Sequence, residues 1–256
     1  MKDKVIYYDD ELSDEFSGIQ RNTISVDETY KYKRSVFWNF ISFILYRIIM
    51  TPIAFLYMKC KFSFKVKNRK VLKKHKKDGY FMYANHTHVP SDGYMPSVIC
   101  FPKRVMVVVN ADNLSMPGTK NFMAMVGALP IPNKMSGMRK FREALSIHLK
   151  KKRVIMIYPE AHIWPYYTKI RPFKSVSFAY PVKENCPVYS FTVTYQKGRL
   201  RTHITAYVDG PFYPNADVDS KTAQEELHRS VYQAMLERSK HSTYEKIKYV
   251  KREEAL

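Results

Sequence analysis

The 256-residue sequence has few cysteines and glycines, and it contains no low-complexity tract or internal repeat. Its three cysteines, Cys60, Cys100 and Cys186, are too scattered for a disulfide framework or a metal site. We therefore expect a reducing compartment and no bound metal. The opening "MKDKVIYYDDELSDEF" lacks an apolar run, which argues against a signal peptide. These exclusions leave a chain of ordinary apolar content that can bury a large core.

The most unusual property of the chain is its net charge of +20. Residues 1–34 are nearly balanced in charge, whereas residues 59–77 contain ten lysines and arginines and no acid. Such a field favours nucleic acid, an anionic membrane surface or phosphorylated substrates. The sequence has no helix-turn-helix, zinc-finger or RNP-type signature, so we expect no nucleic-acid partner. A nucleic-acid binder remains an alternative that rests on charge alone.

A strongly apolar segment follows a polar N-terminal arm. Residues 1–34 lack a pattern and are predicted to form a mobile or loosely docked arm. Residues 35–58 are predicted to be a membrane-interfacial helical segment. Asn39 and Arg47 are costly at mid-membrane and Pro52 breaks a helix, so we expect two short interfacial helices, with a buried helix hairpin or a simple span as alternatives. The residues expected to bind an anionic membrane surface are Trp38, Phe40, Phe43, Lys59 and Lys61.

The remaining residues, 59–256, alternate between strand and helix patterns and predict one α/β domain. Amphipathic helices are expected at 134–152 and at 220–241, the latter with Ser220 as its N-cap. The expected fold class is α/β, a mixed and mostly parallel sheet flanked by helices, with interfacial helices at the N-terminal end. The expected strands are 61–67, 80–85, 104–110, 153–159, 187–195 and 200–208, the last two forming a hairpin.

Two polar motifs, "NHTHVPSD" and "PEAH", come directly after expected strands. Sites in open α/β sheets lie at the carboxyl ends of strands. A histidine oriented by a carboxylate can deprotonate a hydroxyl, because the neutral imidazole accepts the proton and the carboxylate stabilises the imidazolium. The residues alone leave either His86 or His88 as the partner of Asp92. They also leave open that Asp92 is only a helix cap.

Four blocks of the sequence together resemble a known family. "NHTHVPSD" resembles the Asn-His…Asp block of the PlsC-like lysophosphatidic acid and glycerolipid acyltransferases, and "YPEAH" resembles their Phe-Pro-Glu-Gly block. "GALPIPN" (127–133) and "CPVYSF" (186–191) lie where the other two blocks are expected. The resemblance covers roughly residues 60–210 and implies the acyltransferase fold.

The resemblance also assigns roles within the first block. His86 follows Asn85, as in the family's Asn-His pair, and is the implied catalytic base, with Asp92 as the residue that orients it. Five residues separate His86 from Asp92, one more than the family usually has. His88 therefore remains the alternative base.

The family's phosphate-binding cations are missing from their usual places. Asn133 stands where an arginine is expected, and "EAH" replaces "EGT". We expect basic residues in "WPYYTKIRPFKSV" to contact phosphate instead, because arginine and lysine suit phosphate oxygens. The alternatives are an ion pair between Glu160 and one of these cations, and a solvated basic loop. The residues expected to bind substrate are Glu160, Arg171, Lys174, Lys134, Asn85 and His162.

The function implied by the resemblance is that of a membrane-associated O-acyltransferase. It would move an acyl chain from acyl-coenzyme A or acyl carrier protein to a lysophospholipid, with lysophosphatidic acid as the expected acceptor. We expect no cofactor besides the acyl donor, and a peripheral or monotopic position on the cytoplasmic face of the cell membrane. The altered His–Asp spacing and the missing arginine leave open a non-catalytic lipid-binding protein on the same fold.

Overall fold

A seven-stranded mixed sheet forms the centre of the protein. The computed structural model describes residues 4–18, 22–115 and 119–254. The strands of the large sheet are β2 (Lys65–Lys67), β3 (Tyr80–Ala84), β4 (Val105–Asn110), β5 (Ala128–Ile131), β6 (Val154–Ile157), β7 (Val188–Lys197) and β8 (Thr202–Phe212). The strand order of this sheet is β2-β8-β7-β3-β6-β4-β5, and only the β7–β8 pair is antiparallel.

The sheet confirms the predicted fold class and most of the predicted strands. β3 and β6 are buried along their whole length, because both faces of the sheet are covered. The predicted strand at 61–67 is wrong in its first half, since a helix continues to Phe62 and β2 is only three residues long. β5 had not been predicted, because its four residues include Pro130, a residue that is rare inside strands.

Helices cover both faces of the sheet. The α-helices are α1 (Val36–Phe43), α2 (Thr51–Phe62), α3 (Met95–Ile99), α4 (Thr119–Met125), α5 (Met138–Lys150), α6 (Ala179–Glu184) and α7 (Ser220–Ser239). On one face, α2 and α3 pack over residues such as Met82 and Phe191, and on the other, α5 and α7 pack over Phe81 and Ile155. The N-cap of α7 is Asp219, whose carboxylate accepts hydrogen bonds from the backbone N–H groups of residues 221 and 222, so the prediction of Ser220 is off by one residue.

The apolar N-terminal segment is one helix, Val36–Phe62, and the predicted break into two helices is wrong. α1 and α2 are joined by a π-helical segment, Ile44–Met50. Pro52 does not break the helix because it lies in the first turn of α2, where its missing N–H is tolerated. Just before it, Thr51 donates both its backbone N–H and its hydroxyl to the carbonyl of Tyr46.

This helix has an unusual distribution of exposed side chains. It is 27 residues long, its most apolar 18-residue stretch has a mean hydropathy of 1.8, and by length and composition alone it could cross a membrane. The side that faces the protein mixes small or polar residues such as Ser42 and Thr51 with the larger Tyr46, Met58 and Phe62. Many large apolar residues face outward: Val36, Phe37, Phe40, Ile41, Phe43, Ile48, Ile49, Ile53, Phe55 and Leu56. So large an exposed apolar surface suits a helix that meets lipid rather than water.

The described part of the N-terminal arm is held against the body of the protein. Its first residues form β1 (Lys4–Tyr8), which pairs in parallel with β9 (Ile247–Lys251) in a separate two-stranded sheet. Further along the arm, the backbone N–H of Val26 donates to the Asn133 side chain at 2.9 Å, and Asn133 donates to the carbonyl of Ile24. Asn133, the residue at the position of the family's arginine, therefore anchors the arm.

Candidate active site

His86 and Asp92 form a hydrogen-bonded pair just beyond the carboxyl end of β3. His86 Nδ1 lies 2.8 Å from Asp92 Oδ2. Because a carboxylate only accepts, this bond places the proton of the neutral imidazole on Nδ1 and leaves the Nε2 lone pair free. The side chain of His86 is 17% exposed and that of Asp92 only 4%, so a buried carboxylate orients a histidine that substrate can reach.

Asp92 is bonded to His88 only through the backbone. Its Oδ2 accepts the backbone N–H of His88 at 2.9 Å, whereas the His88 ring is packed edge-on against Phe62 and Tyr166. Burial lowers the pKa of His88 and keeps the ring neutral. Both ring nitrogens are buried and form no hydrogen bond to any residue that the structure describes. The geometry thus pairs the carboxylate with His86, despite the extra residue between them.

An aromatic ring fixes the plane of His86. Tyr158, which follows β6, stacks on the imidazole with the ring centroids 4.3 Å apart and the planes 17° from parallel. Its hydroxyl donates to the backbone carbonyl of Asp92 at 2.7 Å. Tyr158 therefore holds both members of the pair, and it restricts the imidazole to the orientation that the carboxylate requires.

Glu160 and Arg171 lie behind the pair as a fully buried ion pair. Glu160 Oε2 accepts the backbone N–H of His86 at 3.0 Å, and Arg171 Nη2 lies 3.3 Å from the same oxygen. Burial raises the pKa of Glu160, while Arg171 and two backbone N–H groups oppose that rise. Neither side chain is exposed, and Arg171 also donates to the carbonyls of Glu11 and His162. We therefore correct their predicted contact with phosphate: here they position the backbone of His86.

The loop between them contains a backbone conformation that normally favours glycine. Ala161 has φ of +63°, at the place where the resembling block has glycine. In this left-handed region a Cβ is unfavourable by roughly 1–2 kcal/mol. The Glu160–Arg171 interaction therefore holds a strained loop next to the site.

Asn85 is also a positioning residue and not a substrate contact as predicted. Its side-chain amide donates to the carbonyl of Val193 at 3.1 Å and accepts the N–H of the same residue at 2.8 Å. Both ends of the amide are used, and the residue is buried. Asn85 thereby ties the end of β3 to β7 and fixes where the His86 loop begins.

The remaining predicted substrate residues do not converge on His86. His162 pairs with Glu15 of the arm at 3.2 Å. Lys134 is exposed after β5, three strands from β3, which corresponds to about 14 Å across the sheet. Lys174 is exposed beside Phe173, which packs on His228 on the α7 face. Substrate contact by these three residues stays a prediction, because none of them is placed beside His86.

Two other lysines flank the site, and no sequence motif identifies them as substrate contacts. Lys246 lies over the ring of Tyr166 at 4.0 Å, and the backbone N–H of Tyr166 donates to Thr87, the residue after His86. Lys61, predicted only as a membrane contact, hydrogen-bonds the Tyr57 hydroxyl at 2.9 Å. Both lysines lower the pKa of His88 electrostatically, although burial is the main cause. Lys246 follows the resembling blocks, so no motif indicated it.

The predicted membrane residues lie along the long helix and next to the site. Phe40 and Phe43 are exposed, Lys59 and Lys61 are exposed near its C-terminal end, and Trp38 is half-buried. The same end of the helix reaches the candidate site, since Phe62 contacts His88 and Tyr57 packs against Tyr94. The apolar surface and the His86 pair are therefore close neighbours.

Comparison with known proteins identifies the family and the fold of the chain. A sequence model of the family described as acyltransferase matches residues 63–194, just over half of the chain. A search of curated protein sequences finds no significant match. Among solved structures, the chain is similar to the 1-acyl-sn-glycerophosphate (LPA) acyltransferase PlsC from Thermotoga maritima. The TM-score is 0.55 at 16% identity, over 81% of this chain and 89% of that one, a likeness of fold.

Proposed function

The chain belongs to the acyltransferase family, and from that premise we propose that it acylates a hydroxyl of a lysophospholipid. The acceptor we propose is lysophosphatidic acid, which would become phosphatidic acid. The donor would be an acyl thioester, either acyl-coenzyme A or acyl carrier protein, whose negative charge suits a chain of net charge +20. The observation that carries the proposal is the His86–Asp92 hydrogen bond beside an exposed apolar helix.

The reaction uses His86 as a general base and then as a general acid. Nε2 takes the proton of the acceptor hydroxyl while its oxygen attacks the thioester carbonyl carbon. Asp92 stabilises the imidazolium that forms. The C–S bond then breaks, the ester remains on the acceptor, and the imidazolium returns its proton to the departing thiolate. Base catalysis of this kind accelerates a reaction by about 10²- to 10⁴-fold.

We assign contact with the acceptor phosphate to Lys246 and Lys61. They flank Tyr166 and the His86 loop, whereas Arg171 is enclosed behind it. Lysine acts on phosphate as a point charge with rotatable donors, so it tolerates a headgroup held at the protein surface.

We propose monotopic docking on the cytoplasmic face of the membrane through the outward face of Val36–Phe62. Exposed phenylalanines would enter the acyl boundary while the lysines after them meet headgroups. Phe40→Ser should weaken binding to vesicles of phosphatidylcholine and phosphatidylglycerol severalfold. Leu200→Ser is the matched control, because Leu200 is 94% exposed in the β7–β8 turn. Equal loss in both variants would contradict this orientation.

Acyl transfer by the purified chain in vesicles tests the activity. Lysophosphatidic acid would be offered with each donor and the products read by mass spectrometry. His86→Ala and Asp92→Asn should lower turnover by about 10²- to 10⁴-fold. His88→Gln should retain most of it, because the His88 ring forms no bond to Asp92. Loss only in His88→Gln would make His88 the base. Vesicle binding without turnover would favour a non-catalytic lipid-binding protein.

The headgroup assignment has its own test. Lys246→Gln should raise KM for lysophosphatidic acid about tenfold and leave KM for an uncharged monoacylglycerol nearly unchanged. Lys221→Gln serves as the control, since Lys221 is exposed in the first turn of α7 and is not expected to contact substrate. The same rise in KM for both acceptors would remove Lys246 from the phosphate site.

A further inference from the structure

A second cationic site lies at the opposite edge of the large sheet from His86. Arg104 directly precedes β4 and Arg153 directly precedes β6, so both lie at the amino ends of strands. His86 follows the carboxyl end of β3, which is five residues long. At about 3.3 Å per residue, the sheet separates the two places by roughly 15 Å. This cluster is therefore distinct from the candidate active site.

The cluster lines a cavity of about 40 Å³. That is room for about three water molecules, at roughly 10–15 Å³ each, and is on the scale of one small oxyanion. Its walls bring together Arg104, Arg153, Arg34 and Lys31, along with Trp38 and His148. No aspartate or glutamate is among the described residues that line it.

The charges in this cavity are not compensated within the described part of the protein. Arg104 is mostly buried, and its Nη2 donates to the Ser42 hydroxyl at 2.6 Å and to the Met125 carbonyl at 2.7 Å. Its Nε is buried and has no hydrogen-bond partner among the described residues. Arg153 donates to His148 Nδ1 at 3.0 Å, a neutral acceptor. Buried cations that lack a carboxylate are unfavourable unless another anion is present.

The pKa shifts follow the same physical cause. Burial, and then the neighbouring Arg153, lower the pKa of Arg104 to about 10. Burial and the same arginine lower the pKa of His148 to about 3. A bound anion would relieve this mutual repulsion.

The long apolar helix places the cavity beside its outward face. Trp38 and Asn39 of α1 line the cavity, while Phe37 and Phe40 of the same turns are exposed. An oxyanion in the cavity would therefore lie next to the surface that we assign to lipid. Arginine suits phosphate oxygens, because its planar guanidinium donates in pairs.

We propose that this cavity binds a phosphate group, carried by an anionic phospholipid headgroup or by a free phosphate compound. The phosphate would accept hydrogen bonds from the half-buried Arg104 and Arg153 and supply their missing countercharge. Binding there would fix the first turns of the long helix on the body of the protein. The site does not depend on the transfer chemistry of His86.

Thermal unfolding of the full chain in inorganic phosphate is the first test. Phosphate should raise Tm above that in sodium chloride of equal ionic strength, since a ligand of the folded state stabilises it. Arg153→Gln should abolish this rise. Arg199→Gln should retain the rise in Tm. Arg199 is exposed in the β7–β8 turn, and its substitution removes the same charge at a distant place. Arg34→Gln, at a half-buried position, repeats the test if Arg153→Gln does not fold.

Vesicle binding separates the two sources of phosphate. On phosphatidylcholine vesicles that contain phosphatidic acid, Arg153→Gln should weaken binding about tenfold more than Arg199→Gln if a headgroup occupies the cavity. Equal weakening, combined with a phosphate-dependent Tm that Arg153→Gln abolishes, assigns the cavity to a free phosphate compound. A Tm that phosphate leaves unchanged, or raises equally in all variants, overturns the proposal.

Discussion

The two edges of the large sheet differ in how the charges enclosed there are compensated. At the carboxyl edge, Glu160 and Arg171 neutralise each other out of contact with water and hold the backbone of His86. At the amino edge, Arg104 and Arg153 lie together with no acid among the described residues that line their cavity. A buried pair costs desolvation but is self-contained, whereas buried like charges require an outside partner. The Glu160–Arg171 pair therefore supports the loop that carries His86, whereas the uncompensated arginines at the amino edge suit an anion-binding site.

The largest expected effect compares one arginine from each edge. Arg171→Met should lower the free energy of unfolding by about 3–5 kcal/mol, because it leaves the Glu160 carboxylate buried and unpaired. Arg153→Met should change it by less than about 1 kcal/mol, since it removes a charge that has no acidic partner among described residues. Urea unfolding of both variants measures the difference. Equal losses of unfolding free energy would mean that the two arginines contribute equally to stability, whatever their partners.

The second effect is the dependence of stability on pH at the amino edge. The pKa of His148 falls from 6.5 to about 3 on folding, so only the unfolded chain gains this proton as pH drops below 6.5. The contribution of neutral His148 to the free energy of unfolding is present above pH 6.5 and is lost progressively towards pH 3. The loss is about 2 kcal/mol between pH 7.5 and 5.

Substitution of the histidine isolates this contribution. His148→Gln should flatten the plot of unfolding free energy against pH over the same range. Exposed His241 offers the matched control, and His241→Gln should leave the plot nearly unchanged. A slope that is equally steep in His148→Gln would assign the acid sensitivity to other groups.

The sequence predicted best what depends on local pattern. The buried runs that form β3, β4 and β6 are visible as continuous apolar stretches, and the His86–Asp92 pair follows from its place after β3. The spacing between His86 and Asp92 differs from the family's, yet the carboxylate still reaches His86, because loop geometry and not residue count sets that distance.

Long-range burial could not be predicted from the same pattern. Arg171 lies in a basic loop that looks solvated in sequence, and only the tertiary structure shows it enclosed beside Glu160 and Trp164. Lys246 reaches Tyr166 from a C-terminal segment that carries no motif. Both residues depend on contacts between distant parts of the chain, which periodicity does not encode.

The smallest expected effect concerns the strained loop at the carboxyl edge. Ala161→Gly should raise the free energy of unfolding by about 1 kcal/mol, because glycine adopts φ of +63° without a Cβ penalty. Ala216→Gly, in an exposed turn, should lower it by up to about 1 kcal/mol through the greater freedom of the unfolded chain. Thermal unfolding distinguishes the opposite signs. A loss of stability in Ala161→Gly would show that packing of the methyl group stabilises the loop by more than the backbone strain destabilises it.

The pairing of β1 with β9 has a consequence for the order in which the protein is made. Trp164 lies among Tyr8 and Phe16 from the first residues and Tyr249 from the last ones, and the same arm reaches Arg171 through Glu11. Chains fold from the N-terminal end as they leave the ribosome. Here the first strand has no partner until residue 251 has emerged. The contacts of the arm and of β9 with the loop around Trp164 and Arg171 therefore form only after β9 has emerged, so the support behind His86 is among the last parts of the structure to be completed.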